Sequence, residues 1–412
     1  MTQQTVAIVG FGTAGVNAAI ALRNNGYEGK ILAVTDGPAV PYSPILTSYY
    51  AGGQKTYEEC FPWTEAEIDS LNVEILGGCT VEAIDVAAHT LRTTSGEFAY
   101  DKCVIATGSN PVTRGFPQVE GFEPLVMRSM DDAQALKDAA ADPACKRVLV
   151  SGASMVALKT LEACVLRGLD VTLVGMMPHV LDMNALPAAA ERFERGLEAM
   201  GVSLKLGTTI AGVKVIADDQ AYCGRQLEVT FANGDVELFD HVSVAHGMRS
   251  NLDFIPAGDL EIDRALLVDE FMRTSNPDVY AAGDVAQALE LISGQRRIVG
   301  IWKNAALQGA CAGSAIAYEL AGLPVPASCA FAGSISTNTI VVGDLLFISA
   351  GTIELNDDRR VEVCEKLGML AVYIYEDERL VGFNLVCDNP EDRRLAYDAG
   401  GMLTLRIERA LK

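Results

Sequence analysis

A strand, a glycine turn and a helix follow one another at the start of the chain, and nothing else in it restricts the fold so tightly. Val6-Ala-Ile-Val9 has the unbroken apolar character of a buried strand. Ala14 to Arg23 is a run of small residues suited to a helix lying close on a sheet. Between them stands Gly10-Phe11-Gly12-Thr13-Ala14-Gly15. In such a turn the first glycine permits the sharp bend, the second lets a pyrophosphate approach the backbone, and the third lets helix and strand pack closely. The unpaired N–H groups at the helix start face the phosphates. A second strand, Ile31-Leu-Ala-Val34, leads to Asp36, about twenty residues past the turn, where an acid can reach a ribose hydroxyl. Glycines alone would fit any tight α/β turn; strand, turn, helix, strand and acid in order predict a dinucleotide-binding unit.

Two later segments say which dinucleotide. Tyr100-Asp-Lys-Cys-Val-Ile-Ala106-Thr107-Gly108-Ser-Asn-Pro is a strand ending in a glycine turn, and Thr274-Ser-Asn-Pro-Asp-Val-Tyr-Ala-Ala-Gly283-Asp284 is another. With these segments the chain resembles the FAD-dependent pyridine nucleotide–disulfide oxidoreductase superfamily, along essentially its whole length. The resemblance implies bound FAD, with Asp284 on the flavin ribityl chain and with Gly10, Gly12, Thr13, Ala14, Gly15, Asp36, Val81, Ala106, Thr107, Gly108, Gly283, Trp302 and Ala305 around the cofactor. It implies an α/β, glutathione-reductase-like architecture of two Rossmann-like dinucleotide-binding domains and a C-terminal α+β interface domain. The FAD domain comes in two pieces, 1–113 and 245–323; a second, NAD(P)-binding-like domain, 114–244, is inserted between them; and the interface domain, 324–412, is one through which family members often dimerise. Local signals agree: Lys146-Arg-Val-Leu-Val150 starts a new strand, Phe231-Ala-Asn-Gly-Asp has hairpin-turn chemistry, and Leu346-Phe-Ile-Ser and Ala371-Val-Tyr-Ile-Tyr375 read as strands.

The second dinucleotide turn is eroded. In Val148-Leu-Val-Ser-Gly152-Ala-Ser154-Met-Val156-Ala157 the first glycine survives as Gly152. Ser154 replaces the middle one and puts a side chain where phosphate should approach; Ala157 replaces the third, a change the fingerprint tolerates. The strand Asp170-Val-Thr-Leu-Val174 should lead into an acid for NADH, and Gly175 stands there; for NADPH a cation should follow, and Met176-Met177-Pro178-His179 offers only a protonated His179. Losing one hydrogen bond to a charged group weakens NADH binding about 10- to 100-fold. Gly247-Met-Arg249-Ser-Asn251 still resembles the segment closing this domain. The doubtful contacts to NAD(P)H are Gly152, Ser154, Val156 and Gly247.

Pro41-Tyr-Ser-Pro-Ile45-Leu-Thr-Ser48-Tyr-Tyr-Ala-Gly-Gly53 resembles the family's flavin-side helix. The CoA-disulfide reductase and NADH oxidase branches carry a redox cysteine at the position of Ile45, and isoleucine forms neither thiolate nor mixed disulfide; Cys60 has the wrong spacing to replace it. In the rubredoxin and ferredoxin reductase branch a Lys at the position of Ser48 pairs with a Glu at that of Lys159. Here Ser48 stands for that Lys and Lys159 for that Glu, which implies one cation near the flavin, Lys159, arriving from the opposite side. Such a cation would stabilise reduced flavin and raise its potential; a solvent-facing Lys159 is the plainer alternative. Trp302, in the helix that runs past the flavin ring, is a shield, an electron exit or a core aromatic. Lys159, Ser48 and Trp302 are therefore the candidate functional side chains.

Ten scattered cysteines without a Cys-x-x-Cys pair, and four histidines, argue against a metal centre and for reduced thiols. The start of the chain lacks the pattern of a signal peptide and no run suits a membrane span, so a cytoplasmic protein is expected. A formal charge of −22 excludes nucleic acid as a partner and disfavours an acidic protein unless a basic patch is present. The leading expectation is an oxidoreductase passing electrons from NAD(P)H through FAD to a ferredoxin- or rubredoxin-like protein or a small acceptor, as a homodimer or a subunit of a redox complex. The alternatives are a flavin relay subunit in a complex with an iron–sulfur subunit, no longer binding NAD(P)H, and a non-enzymatic flavin-dependent sensor or assembly subunit.

Overall fold

The computed structural model describes residues 4–411, which form two compact units. The first comprises Met1–Ser43, Phe61–Asn110 and Arg249–Ile335. Its centre is a five-stranded parallel sheet in the order Val279–Ala281, Lys102–Ile105, Thr5–Val9, Lys30–Val34, Glu74–Leu76. Strands buried on both faces need continuous apolar sequence, and Val6, Ile8, Val104 and Tyr280 have no exposed surface. The predicted helix runs Thr13–Asn24 and lies against Trp302–Leu320. Side chains on Gly309 and Gly313 would collide with the carbonyl oxygens of Ala14 and Ala18, so the two helices approach at backbone contact. The same unit holds a three-stranded antiparallel sheet, Val81–Asp85, Thr90–Thr93 and Gly96–Ala99, and a smaller sheet of Leu266–Leu267, Ala286–Leu289 and Arg296–Arg297.

The second unit comprises Pro44–Cys60, Pro111–Met248 and Ser336–Lys412. It holds a four-stranded parallel sheet in the order Ser203–Leu206, Asp170–Gly175, Arg147–Ser151, His241–Val244. Beside it stands the antiparallel set Ile210–Ala217, Arg225–Phe231 and Val236–Phe239, whose predicted turn closes with Phe231 N donating to the Asp235 carbonyl at 2.9 Å. The C-terminal block is a five-stranded antiparallel sheet covered by the helix Arg393–Ala410. It is pinned inside this unit by Asn384, fully buried, which accepts from Leu186 N and donates to the Asn184 carbonyl, each at 2.8 Å. The short helix Thr47–Gly52 also belongs here, packed on Met130–Ala141 and Met155–Leu166, although the flavin-site resemblance of its segment had grouped it with the glycine turn.

A buried histidine should make this unit acid-sensitive. His241 opens its strand with both ring nitrogens lacking a hydrogen-bond partner, edge-on to Phe122 and Tyr222. Burial holds its pKa down to about 4, with Arg225 adding to the effect. The folded value lies below the unfolded one, so the stability it confers is complete above about pH 6.5 and is lost as the pH falls toward 4. The full linkage is about 3 kcal/mol. Calorimetry of His241→Leu against the native chain between these pH values should show a flatter Tm profile in the variant; parallel profiles would mean that His241 does not drive the effect.

Candidate functional site

The first glycine turn, the Ala106–Gly108 turn and the Gly283–Asp284 turn meet at the carboxyl ends of adjacent parallel strands, the usual ligand crevice of an open α/β sheet. Gly10 has φ +89° and its missing side chain would strike the Ala106 carbonyl oxygen. A side chain on Gly15 would strike the carbonyl oxygen of Gly10 itself. Gly12 is different. A β-carbon there would meet nothing within 4 Å, and Gly12 is the N-cap of the helix Thr13–Asn24 without a side chain to occupy its N–H groups. The turn is thus rigid at both ends and open in the middle, the shape required to seat an anionic pyrophosphate on a helix N-terminus. Asp36 stands exposed just beyond the second strand, and Val81 packs with Leu32, Val34 and Cys79 beside it.

Four residues that sequence reasoning missed hold the other two turns. Asn251 donates through Nδ2 to the Thr107 carbonyl at 3.0 Å and accepts on its own carbonyl from Thr107 Oγ1 at 2.8 Å, while its backbone N–H reaches the Gly108 carbonyl at 3.0 Å. Asn251 lies in the first unit, with the turns it holds. Gln308, buried on the helix behind, accepts from Gly283 N at 2.8 Å, and Ala305 of the same helix lies beside Gly283. The Asp284 carboxylate accepts from Ser109 Oγ at 2.9 Å, and its carbonyl accepts from Ser250 Oγ at 2.7 Å. Each contact crosses a long stretch of chain, so no local motif signals it. Replacing Asn251 with Ala removes the one of its three bonds that its side chain makes, Nδ2 to the Thr107 carbonyl, and should loosen the Thr107–Gly108 turn. About tenfold weaker FAD binding to the apoprotein is expected; unchanged affinity would show that the turn is held without it.

The second turn starts like the first. Gly152 N donates to the Val174 carbonyl at 2.8 Å, as Gly10 N does to Val34 at 2.7 Å. It then departs. Ser154 is the N-cap of Met155–Leu166, and its Oγ accepts from Ala157 N at 3.4 Å, so this helix start is occupied by its own side chain. At Gly175 an acid would be cramped, since a β-carbon would stand 3.0 Å from Ala153 Cβ and 3.2 Å from Leu206 Cδ2. His179 faces Glu194 at 3.2 Å, so a protonated ring would already be neutralised rather than available to a 2′-phosphate. Val156 is exposed, as are Met176 and Met177 at the mouth. Gly247 follows His246, which accepts at Nε2 from Ser151 Oγ at 2.8 Å because its Nδ1 must donate to the Arg114 carbonyl at 3.0 Å.

Lys159 does not point to solvent. Its ammonium pairs with Glu162 three residues on, donates to the Val341 carbonyl at 3.1 Å and lies 3.8 Å from the centre of the Tyr49 ring. Glu162 is buried and also accepts from Gly343 N at 2.8 Å. The structure therefore brings Lys159 against the residue next to the buried Ser48, and supplies an acid that the resemblance placed elsewhere. The i,i+3 spacing of Lys159 and Glu162 was the available sequence signal. Ile45 is exposed; Cys60 is buried and its thiol pKa is pushed up by burial, away from the thiolate. All ten cysteines are free. In the first unit Trp302 stacks on Trp63 at 5.8 Å, the planes inclined by 26°.

Residues 4–309 match the family model described as pyridine nucleotide-disulphide oxidoreductase. The chain is 30% identical to a rubredoxin-NAD(+) reductase of Pseudomonas putida over 326 residues, 78% of this chain and 82% of the relative. It is 28% identical to the NADH-dependent phenylglyoxylate dehydrogenase subunit epsilon of Aromatoleum evansii, over 81% of this chain and 75% of that one. Its fold matches the reductase in a covalent putidaredoxin reductase–putidaredoxin complex with a TM-score of 0.82 at 22% identity, covering 98% of this chain and 93% of that one.

Proposed function

The chain belongs to the pyridine nucleotide-disulphide oxidoreductase family, and on that premise we propose that it transfers electrons between NAD(P)H and a redox-protein or small acceptor through bound FAD, without a redox-active cysteine. The observation that carries this reading is the open face at Gly12, framed by the Thr107–Gly108 and Gly283–Asp284 turns. These residues fit FAD. The Thr13 helix start would hold the pyrophosphate, Asp36 the adenosine ribose and Asp284 the ribityl chain. Bound there, the flavin supplies the acceptance of a hydride and the release of electrons singly. The chain's own part is to orient the cofactor: Asn251 and Gln308 fix the two turns, and Ser109 holds the Asp284 carboxylate in one orientation.

Gly152, Ser154, Val156 and Gly247 would line the nicotinamide nucleotide's turn, with the affinity reduced by the serine cap. Lys159 and Ser48 enter this reading through the family resemblance; an unchanged flavin potential in Lys159→Met would remove Lys159 from it. Among the described residues no helix is long and apolar enough to cross a membrane. The reading places the enzyme in the cytoplasm as a homodimer or as one subunit of a redox complex.

A second reading, a flavin relay that no longer binds NAD(P)H, is favoured by the side-chain cap at Ser154. Similarity to a relative named as a subunit also supports a place within a complex. Anaerobic titration of the flavoprotein with NADH and NADPH separates the two. Rapid bleaching at micromolar nucleotide is expected of the reductase, and no bleaching at millimolar nucleotide would leave the relay.

A further inference from the structure

Two free cysteines lie close together on the first unit, outside the cofactor turns. Cys311 stands on the helix Trp302–Leu320, one turn past the Gln308 that holds Gly283 N. Beyond the helix the chain reverses. Leu323 N donates to the Tyr318 carbonyl at 2.9 Å, and the segment then returns to the short turn Ala327–Cys329, which packs on the helix. From Cys311 to the helix end is about 14 Å, and an extended return from Leu323 recovers about that length by Ala327. The far end of the return is fixed as well, since Phe331 N donates to the Glu270 carbonyl at 2.6 Å. Val325 within it packs on the same apolar core as Cys311. Both cysteines are half-buried, and Cys329 follows the exposed Ala327 and Ser328. Burial pushes the Cys311 thiol up to about 11, and the neighbouring Cys329 adds to the rise.

We propose that Cys311 and Cys329 form a modification site, a dithiol that a hydroperoxide converts to a disulfide, clamping the returning segment to the helix that holds the Gly283–Asp284 turn. The pair stands apart from the electron route, which uses no cysteine. Cys329, on the outer turn, attacks the terminal oxygen of the hydroperoxide. The O–O bond breaks, an alcohol leaves and Cys329 becomes a sulfenic acid. The Cys311 sulfur then attacks the Cys329 sulfur, the S–O bond breaks, and water leaves with the Cys311 proton. Two thiols and one hydroperoxide thus give one disulfide, one alcohol and one water. Cys311 is the resolving partner because its raised pKa leaves little thiolate for the first attack. A small uncharged oxidant suits half-buried sulfurs on a chain of net charge −22, which repels a bulky anionic disulfide.

The test treats the folded flavoprotein with dilute hydrogen peroxide and caps the remaining thiols with a maleimide. Trypsin releases residues 304–359 as one peptide, in which these are the only cysteines. From the reduced chain it should carry two maleimides; from the oxidised chain it should carry none and be lighter by two hydrogens. Cleavage after Tyr318 should then leave two halves joined until a reductant is added. Cys311→Ser should stop at the sulfenic acid, captured by dimedone on Cys329, whereas Cys329→Ser should take dimedone on Cys311 at least about tenfold more slowly. The oxidised native chain should melt about 4 °C above the reduced one, a shift absent from both variants. FAD exchange should slow about fivefold on oxidation, an effect that rests on the FAD reading above. The peptide and melting measurements need no flavin, so the two readings fail separately. Two maleimides on the peptide after oxidation of the folded chain, or a bond from either cysteine to a different partner, overturns the proposal. A disulfide that forms without moving Tm or FAD exchange overturns the clamp.

Discussion

Gly12→Glu should yield a folded, colourless protein. The substituted residue has φ −81°, which any amino acid adopts, and its β-carbon enters open space, so apoprotein stability should move by no more than about 0.5 kcal/mol. The carboxylate, however, points a charge where the pyrophosphate must lie and competes for the helix N–H groups. Losing those charge-assisted bonds and adding repulsion should weaken FAD binding at least about 100-fold, or about 3 kcal/mol. The flavin-to-protein absorbance ratio and an FAD titration of the apoprotein measure this. Stoichiometric flavin in the variant would show that the cofactor does not use this turn. Gly10 and Gly15 cannot give such a clean answer, because side chains there would strike backbone carbonyls and damage the fold itself.

Ser154→Gly should have the opposite effect at the other turn. The serine hydroxyl accepts from Ala157 N at 3.4 Å and fills the space that Gly12 leaves open in the first turn. Removing it frees the N–H groups of the helix Met155–Leu166, at a stability cost of a few tenths of a kcal/mol, since glycine is itself a tolerated cap. NADH and NADPH should both bind about tenfold more tightly in a nucleotide titration, because the gain lies at the shared pyrophosphate and not at the ribose. Ser154→Ala should give less, as its β-carbon remains. No gain in the glycine variant would mean that the obstacle lies at Gly175, where Ala153 and Leu206 leave little room for an acid.

The parts of the site that were legible in the sequence are those in which a backbone shape is enforced by residue type. A turn that must bend, admit phosphate and let a helix pack leaves glycines at fixed spacing, and the Thr274–Asp284 run left a similarly local trace. Asn251, Gln308, Ser109 and Ser250 left none, because a side chain that bonds a turn far away in sequence obeys no spacing rule. Lys159 lies between these cases. Its neighbour Glu162 was in reach of an i,i+3 reading, but its contacts with Tyr49 and Val341 required the tertiary fold.

By itself, then, the sequence determined that this chain folds around glycine turns at the ends of parallel strands, that its FAD turn is intact, that its second turn is altered and that Ile45 carries no redox thiol. Those are properties of residue type and short spacing, which act through local backbone sterics. Only the tertiary structure decided what the alterations do. It showed that Ser154 caps its own helix, that Glu194 engages His179, that Glu162 holds Lys159, and that Trp63 and Trp302 stack. Side-chain hydrogen bonds, ion pairs and ring contacts depend on distances in space, and the chain sets those only once its sheets and helices have packed.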